Sequence, residues 1–518
     1  MPEYETLMAS PGITALDNKQ ALLQTGFLID QSDHPEREPG TDRALAWCEE
    51  LEARELSPTE RVELNYFRAN AWAAHQHRRR QGQASWSWDQ PEIGQQILAL
   101  RRARWSDAFD ALPKIRQCEI LTNLGNQLNS VGRFVDALDC WNSALAIDPG
   151  FWMARGNRGY GLWHYAQSLY DAGHRGVFLL FAHRDLETAL AVSAQSTLYP
   201  HPEARAAFEE TRDRISATTP MSALEKDFDP DGHNLGRSKS ERAYRSWCLC
   251  NRLFLNPLND LADHSIANQD VLTLPSFVTA IQEPPVLIGF YNEMKQEFAS
   301  ARWTFYEGTH ASRPHFSDRG VLLLNTLDYP SYGLAVEKMK LAYRAAYSIF
   351  DKVAYFLKYY WKLPVNDRAV SFQLLWRAGD GSVKHPVRPE FEQSENWPLR
   401  GLFWLSKDLF DEEMKEATEP DAQALHELRR HLEHRYLKVH EMMVGPRSQD
   451  DPFFDSLAYS ISRPDLQRKT LRLLKLARAA LIYLSLSMHR EEQRRRARSK
   501  ATLIASMSLD PLRDERKR

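Results

Sequence analysis

The chain has 518 residues, with 66 Lys or Arg against 69 Asp or Glu and a formal net charge of -3. That balance excludes a whole-protein field that draws the molecule to nucleic acid or acidic lipid, so any basic binding surface must be local. The length allows roughly two to four domains. The five cysteines, Cys48, Cys118, Cys140, Cys248 and Cys250, are scattered and odd in number, which fits free thiols in a reducing compartment.

Residues 1–39 read as an N-terminal extension. Met1 to Leu16 mixes acidic and apolar residues without an apolar core, so no secretory signal is expected. The most apolar late stretch, Ala477 to Met488, is well short of the roughly 20 residues that span a bilayer. A soluble, cytoplasmic protein with no membrane partner is the expectation.

Helical periodicity dominates from residue 40 onward. Ala44–Leu51 and Glu63–Ala74 read as two helices broken by Ser57-Pro58. From Cys118 to Phe151, Leu121, Leu124, Gly125 and Leu128 share one helical face. Gly132 and Phe134 mark a turn, and Ala137, Trp141 and Ala144 lie on a second helix that Pro149 stops. This unit resembles the tetratricopeptide (TPR) consensus over its period of about 34 residues. Gly125 and Ala137 are small where the two helices of such a unit cross. Gly159 and Leu162 repeat Gly125 and Leu128 one period later. One repeat cannot bury its own face, so at least three degenerate TPR-like units are expected to stack over residues 40–215 and to bind a protein or peptide partner.

Residues 216–239 are polar and read as a linker. Asp227-Phe-Asp-Pro-Asp-Gly232 has the aspartates of a calcium loop. The position six residues after the glycine is Ser238, where such a loop needs a bidentate glutamate, so no calcium site is expected.

Residues 240–500 read as one helical domain, and 501–518 as a basic tail. Val336–Trp361, Leu399–Phe410 and Asp465–Arg498 carry helical apolar spacing, the last being apolar early and basic late. Gly379-Asp380-Gly381 reads as a loop tip, and His385, before Pro386, as a surface residue. Cys248-x-Cys250 lacks a second cysteine pair for a zinc site. No phosphate-cradling glycine loop is present in the sequence, and no cofactor is expected.

The sharpest pattern lies at Leu428-Arg-Arg-His-Leu-Glu-His-Arg-Tyr-Leu-Lys-Val-His440. Pro420-Asp421 can start a helix there and Gly445-Pro446 can end it. On such a helix Leu425, Leu428, Leu432, Tyr436, Val439 and Met443 form the core stripe. Arg429 and His440 then project in nearly the same direction about three turns apart. His434 points away from the core, one turn after Arg430. Arg429 with His434, and Arg435 with His440, each stand five positions apart. A long arginine side chain, or a second copy of the helix, must close the gap between the members of a pair. Read without further context, these are solvated charges, with Glu433 pairing Arg430.

An arginine, a few arbitrary residues and a histidine on a helix resemble the signature of the HEPN superfamily of RNases and their inactive relatives. Four further blocks strengthen the likeness: Tyr244-Arg-Ser-Trp-Cys248, Leu253-Phe-Leu-Asn-Pro-Leu-Asn-Asp260, Ala342-Tyr-Arg-Ala-Ala-Tyr-Ser-Ile-Phe-Asp351 and Leu399-Arg-Gly-Leu-Phe-Trp-Leu-Ser-Lys-Asp408. Together they resemble a bacterial branch in which a HEPN domain follows helical repeats, a likeness covering about half the chain. The family usually carries a polar residue directly after the motif arginine. Here Arg430 follows Arg429 and Tyr436 follows Arg435, which favours Arg429 with His434 over Arg435 with His440.

The resemblance implies an all-α protein whose C-terminal domain pairs as a homodimer and cleaves RNA without a metal, in bacterial antiviral defence or stress. A histidine would move the 2′-OH or leaving-group proton, and an arginine would hold the phosphate. The alternative it leaves open is a non-catalytic scaffold that binds protein or RNA. The run Arg494, Arg495, Arg496 and Arg498 is a candidate phosphate-backbone contact, or else a solvated helix end.

Overall fold

The computed structural model describes residues 4–32, 38–79, 86–195, 201–278, 283–379, 385–411, 414, 421–441, 455–498 and 507–516. The fold is all-α, with one small two-stranded sheet.

The first four helices are α1 (Tyr4–Ala9), α2 (Asn18–Ser32), α3 (Glu38–Glu52) and α4 (Pro58–Arg79). They enclose a small core of their own, in which Leu22, Leu28 and Ile29 meet Ala44, Trp47 and Leu51. Helices then follow in packed succession: α5 (Pro91–Arg104), α6 (Lys114–Ser130), α7 (Phe134–Ile147), α8 (Trp152–Ala166), α9 (Ala172–Gln195) and α10 (Pro202–Thr218). This arrangement is consistent with helical repeats. Trp141 explains the small residue Gly125 in the unit expected at 118–151, and Gly161 in the helix after it. Its ring fills the space where a Cβ on Gly125 or Gly161 would stand, at 2.6 and 2.5 Å, and it is 1% exposed.

The polar segment after α10 holds α11 (Met221–Asp227) and a loop tied down by His264, whose Nδ1 lies 3.1 Å from Asp231 Oδ1. Ser238 then caps α12 (Lys239–Cys250) by accepting a hydrogen bond from the Glu241 amide.

The C-terminal region contains α13 (Val286–His310), α14 (Leu334–Trp361), α15 (Pro389–Glu392), α16 (Trp397–Phe410), α17 (Asp421–His434), strands β1 (Tyr436–His440) and β2 (Ala458–Ser462), and α18 (Arg463–Arg498). Asn396 caps α16 by accepting from the Leu399 amide. The two strands pair in parallel, Tyr436 opposite Ala458 and His440 opposite Ser462.

The strand corrects the expectation of one helix running from Pro420 to Gly445. The helix stops at His434, and Tyr436–His440 is extended. Leu425, Leu428 and Leu432 are buried as a helical stripe should be, but Tyr436 is 42% exposed. Leu437, Val439 and the partner Ile461 bury one face of a short ladder instead, and Lys438, His440 and Ser462 are buried on the other. Arg435 and His440 therefore share no helix, and His440 does not project beside Arg429. Pro420, Met443, Gly445 and Pro446 lie outside the described residues.

The two halves of the chain share one core, running from Val62 to Met488. The seam between them is close and charged. Gly132, at φ 87°, abuts α16 so tightly that a Cβ there would stand 2.1 Å from the Trp397 carbonyl oxygen. Trp397 stacks on Phe134 at 4.6 Å and donates its indole N–H to the Asn129 carbonyl. Asp408 of α16 receives two 2.8 Å bonds from Arg101 and another from Arg133. Arg133 also reaches Asp136, which accepts from the Tyr483 hydroxyl of α18 at 3.0 Å. Tyr165 of α8 donates to Asp260, which pairs with Arg478 of α18. These charges are almost wholly enclosed, and each is matched, as buried charge requires.

Candidate active site

Helix α17 lies across α14. The Tyr343 hydroxyl donates to the Leu425 carbonyl, and the Arg344 guanidinium donates to the Leu432 carbonyl. Those anchors fix the turn that carries Arg429. Its guanidinium sits 4.2 Å from the centre of the Tyr347 ring, a cation–π distance. It donates to Glu433 Oε1 at 2.9 Å and to Asp351 Oδ2 at 3.2 Å. Tyr347 and Asp351 are four residues apart, so both present to the same face of α14.

His434 is the most open member, with its side chain 74% exposed. Its Nε2 lies 3.9 Å from Glu433 Oε2, while the other oxygen of that carboxylate holds Arg429. Glu433 thus links Arg429 to His434, and it pairs Arg429 rather than Arg430. Arg430 is exposed beside them. Burial raises the Asp351 carboxyl above its ordinary range, partly offset by Arg429. Burial also raises the Tyr347 hydroxyl, against the pull of Arg429. Burial alone would lower the Arg429 guanidinium, but Glu433, Tyr347 and Asp351 outweigh it and fix the positive charge.

The second candidate pair is separated. Arg435 is exposed and donates to the Ser456 carbonyl at 3.4 Å, while His440 is buried at the far end of β1. Between them Lys438 is clamped by Asp328 at 2.7 Å and Asp455 at 2.9 Å. Burial opposes the charge on Asp455, but hydrogen bonds from Tyr436 and Lys438 hold its pKa down to about 2. This clamp fixes the strand to the loop that precedes α14.

Three of the four arginines in the basic run at the end of α18 have partners within the chain. Arg494 and Arg495 pair with Glu491, and Arg495 also lies 4.1 Å over the Tyr360 ring. Arg496 donates to the Ser276 carbonyl, and Arg498 is exposed. Tyr360 and Tyr347 are on one helix, about 20 Å apart at ~1.5 Å per residue, so the run does not converge on Arg429. A separate cleft of about 330 Å³ at the start of α14 is lined by Arg313, His315, Lys338, Glu441 and Arg463 among others, and by none of the predicted site residues.

A family model described as LA2681-like HEPN matches residues 278–491. That segment contains α13 through most of α18, with Arg429 and His434 inside it. Residues 278–491 form a HEPN domain. No curated protein and no solved structure was found to match the chain. Among the described residues, no helix is long and apolar enough to cross a membrane. No group of three or more His, Cys, Asp and Glu among them is placed to hold a metal ion.

Sequence reasoning missed Tyr347 and Asp351 as neighbours of Arg429. Their four-residue spacing was readable, but the register of α14 against α17 was not. It also missed the Asp328–Lys438–Asp455 clamp, whose members are brought together only by tertiary folding.

Proposed function

We propose that the HEPN domain is an endoribonuclease that works without a metal, with Arg429 and His434 as its catalytic residues and the N-terminal helices as a TPR-like module for a protein or peptide partner. The observation that carries this reading is the Arg429–Glu433–His434 arrangement, set on Tyr347 and Asp351 within the HEPN match. A fixed positive charge stands beside a solvent-open imidazole.

The reaction is a transesterification. The 2′-oxygen attacks the adjacent phosphorus, and the bond from phosphorus to the 5′-oxygen breaks. The products are a 2′,3′-cyclic phosphate and a free 5′-hydroxyl. His434 takes the 2′-OH proton or supplies one to the leaving oxygen. Arg429 exchanges a carboxylate for the phosphate oxygens and stabilises charge that builds in the transition state. Two chains bring two such helices to one cleft, so that arginine and histidine act on one phosphate. Arg430 and Arg498, both exposed, contact the RNA backbone outside the reacting bond. The setting implied by the family is bacterial defence or stress-linked RNA cleavage.

The test is RNA cleavage by the full chain in EDTA. Arg429→Ala and His434→Ala are expected to abolish it, while Arg435→Ala leaves it within a few-fold of wild type. Loss of cleavage in EDTA rejects the metal-free chemistry. Full activity in Arg429→Ala rejects the site. A wild type that binds RNA but never cuts it supports the scaffold reading instead.

A further inference from the structure

The segment between α13 and α14 leaves an apolar surface uncovered. Leu322 is 89% exposed, Leu324 83%, and Phe316 and Tyr329 73% each. Val321, Leu323, Leu327 and Tyr332 are each more than half exposed. A soluble monomer rarely exposes so many large apolar side chains along one segment. Together these residues offer on the order of 1,000 Å² per chain, above the ~800 Å² that each partner of a standard stable interface buries.

This surface is held in shape rather than loosely draped. Asp328 is clamped to Lys438, and the Ser331 amide donates to the Val439 carbonyl at 2.6 Å. Leu327 and Tyr329 hold φ of 66° and 53°, an unfavourable region for bulky side chains that surrounding structure must enforce. Both point their side chains into solvent. Among the described residues, the backbone groups of Leu322, Leu323 and Leu324 make no hydrogen bond. An apolar run whose backbone groups are unpaired within the chain is open to contact with another chain.

Charge selects the occupant. From 316 to 332 the ionisable acids and bases are Asp318, Arg319 and Asp328. Asp318 caps α14 by accepting from the Leu334 amide, and Asp328 is neutralised by Lys438. The centre of the patch carries no net charge to attract RNA or acidic lipid, and none to repel an identical patch. A twofold axis brings the same segment of two chains face to face.

We infer that the surface formed by Phe316, Val321–Leu324, Leu327 and Tyr329 is where a second copy of this chain docks. The inference rests on the nuclease reading in one respect: it names the contact that pairs the two Arg429–His434 helices. The docked copy sits on a loop fixed to β1, the strand that begins two residues after His434.

The experiment compares the solution mass of the full wild-type chain with that of Leu322→Asp/Leu324→Asp, with RNA cleavage measured in parallel. The wild type is expected to have the mass of two chains. The variant is expected to fall to one, with dimer affinity lowered at least ~30-fold, the loss typical of removing an interface hot spot. Because both side chains are exposed, the variant should keep its helical circular dichroism. Leu322→Cys in a Cys250→Ser background gives an independent reading, an interchain cross-link that a short bifunctional reagent traps.

A variant that stays dimeric and a cysteine that never cross-links overturn this surface. So does a wild type that is monomeric, including one that pellets with anionic lipid vesicles through these leucines. If the variant remains dimeric while Arg429→Ala loses cleavage, the nuclease reading stands and this surface fails. A monomeric variant that still cleaves RNA upholds the surface and removes the need for a paired cleft.

Discussion

Two arginine clusters in this molecule use the same side-chain types to opposite ends. At the seam, Arg101 and Arg133 close on Asp408, and Arg133 continues to Asp136 and Tyr483, with every member almost wholly enclosed. On α17, Arg429 has its own carboxylates and its own tyrosine, but 29% of its side chain is open and His434 beside it is mostly in water. Enclosure with every charge matched fixes one half of the chain to the other. Partial exposure leaves a charge that, under the proposed function, changes partners when a phosphate arrives. The same chemistry is structural in one place and available in the other because of solvent access.

The largest expected effect breaks function and leaves the fold. Replacing Arg429 or His434 with alanine should lower RNA cleavage by ~10²–10⁴-fold, the usual contribution of a positioned acid–base or charge-stabilising group. The melting temperature should hardly move, because a half-open ion pair contributes about 1 kcal/mol or less. Quantified cleavage and thermal unfolding of the same samples check this.

At the seam the effects should reverse. Asp408→Ala leaves Arg101 and Arg133 buried without their carboxylate and should cost ~3–5 kcal/mol, read by denaturant unfolding. Gly132→Ala should follow at ~1–3 kcal/mol, because its methyl would meet the Trp397 carbonyl oxygen and its φ is positive. If either seam variant unfolded in two separate transitions, the halves would be independent bodies and the shared core would not couple them.

Some of this contrast was legible in the sequence. Apolar spacing located α14, α16 and α18 to within a few residues, because long amphipathic helices advertise their period. Gly125 and Trp141, read as facing residues of two neighbouring helices, do meet. The end of α17 was not legible. Leu432, Tyr436 and Val439 keep a helical interval whether or not the chain turns extended at Tyr436, and the strand's partner lies at Ala458–Ser462. The seam was hidden for a related reason. Arg101 and Asp408 are 307 positions apart, and nothing local marks them as a pair. The motif named Arg429 and His434 as candidates, while their neighbours Tyr347 and Asp351 needed the packing of α14.

Acid provides the mildest probe of the same contrast. His164, edge-on to Tyr160 and Trp163 and near Trp397, is held down to about 4 by burial and by Arg490. His489, against Tyr170, is held to about 4 by burial and nearby arginines. Both are neutral in the fold and protonate more readily when unfolded. Their contribution is therefore full above pH 6.5 and is lost as pH falls toward 4. Asp136 is pulled to about 2 by Arg133 and Arg472 against the cost of burial, so its contribution persists until the pH falls from about 4 toward 2. The melting temperature should fall by a few degrees between pH 7 and pH 5, and His164→Phe should flatten part of that slope.

The central claim is that Arg429 and His434 cut RNA through its own 2′-hydroxyl. The most direct test is an RNA carrying deoxyribose at the cleaved position alone, incubated with the full chain in EDTA, with product ends resolved by mass spectrometry. Cleavage of the all-ribose strand to 2′,3′-cyclic phosphate and 5′-hydroxyl ends, and none at the deoxyribose, is the predicted result. Cleavage at the deoxyribose, or 5′-phosphate ends from either strand, would contradict it.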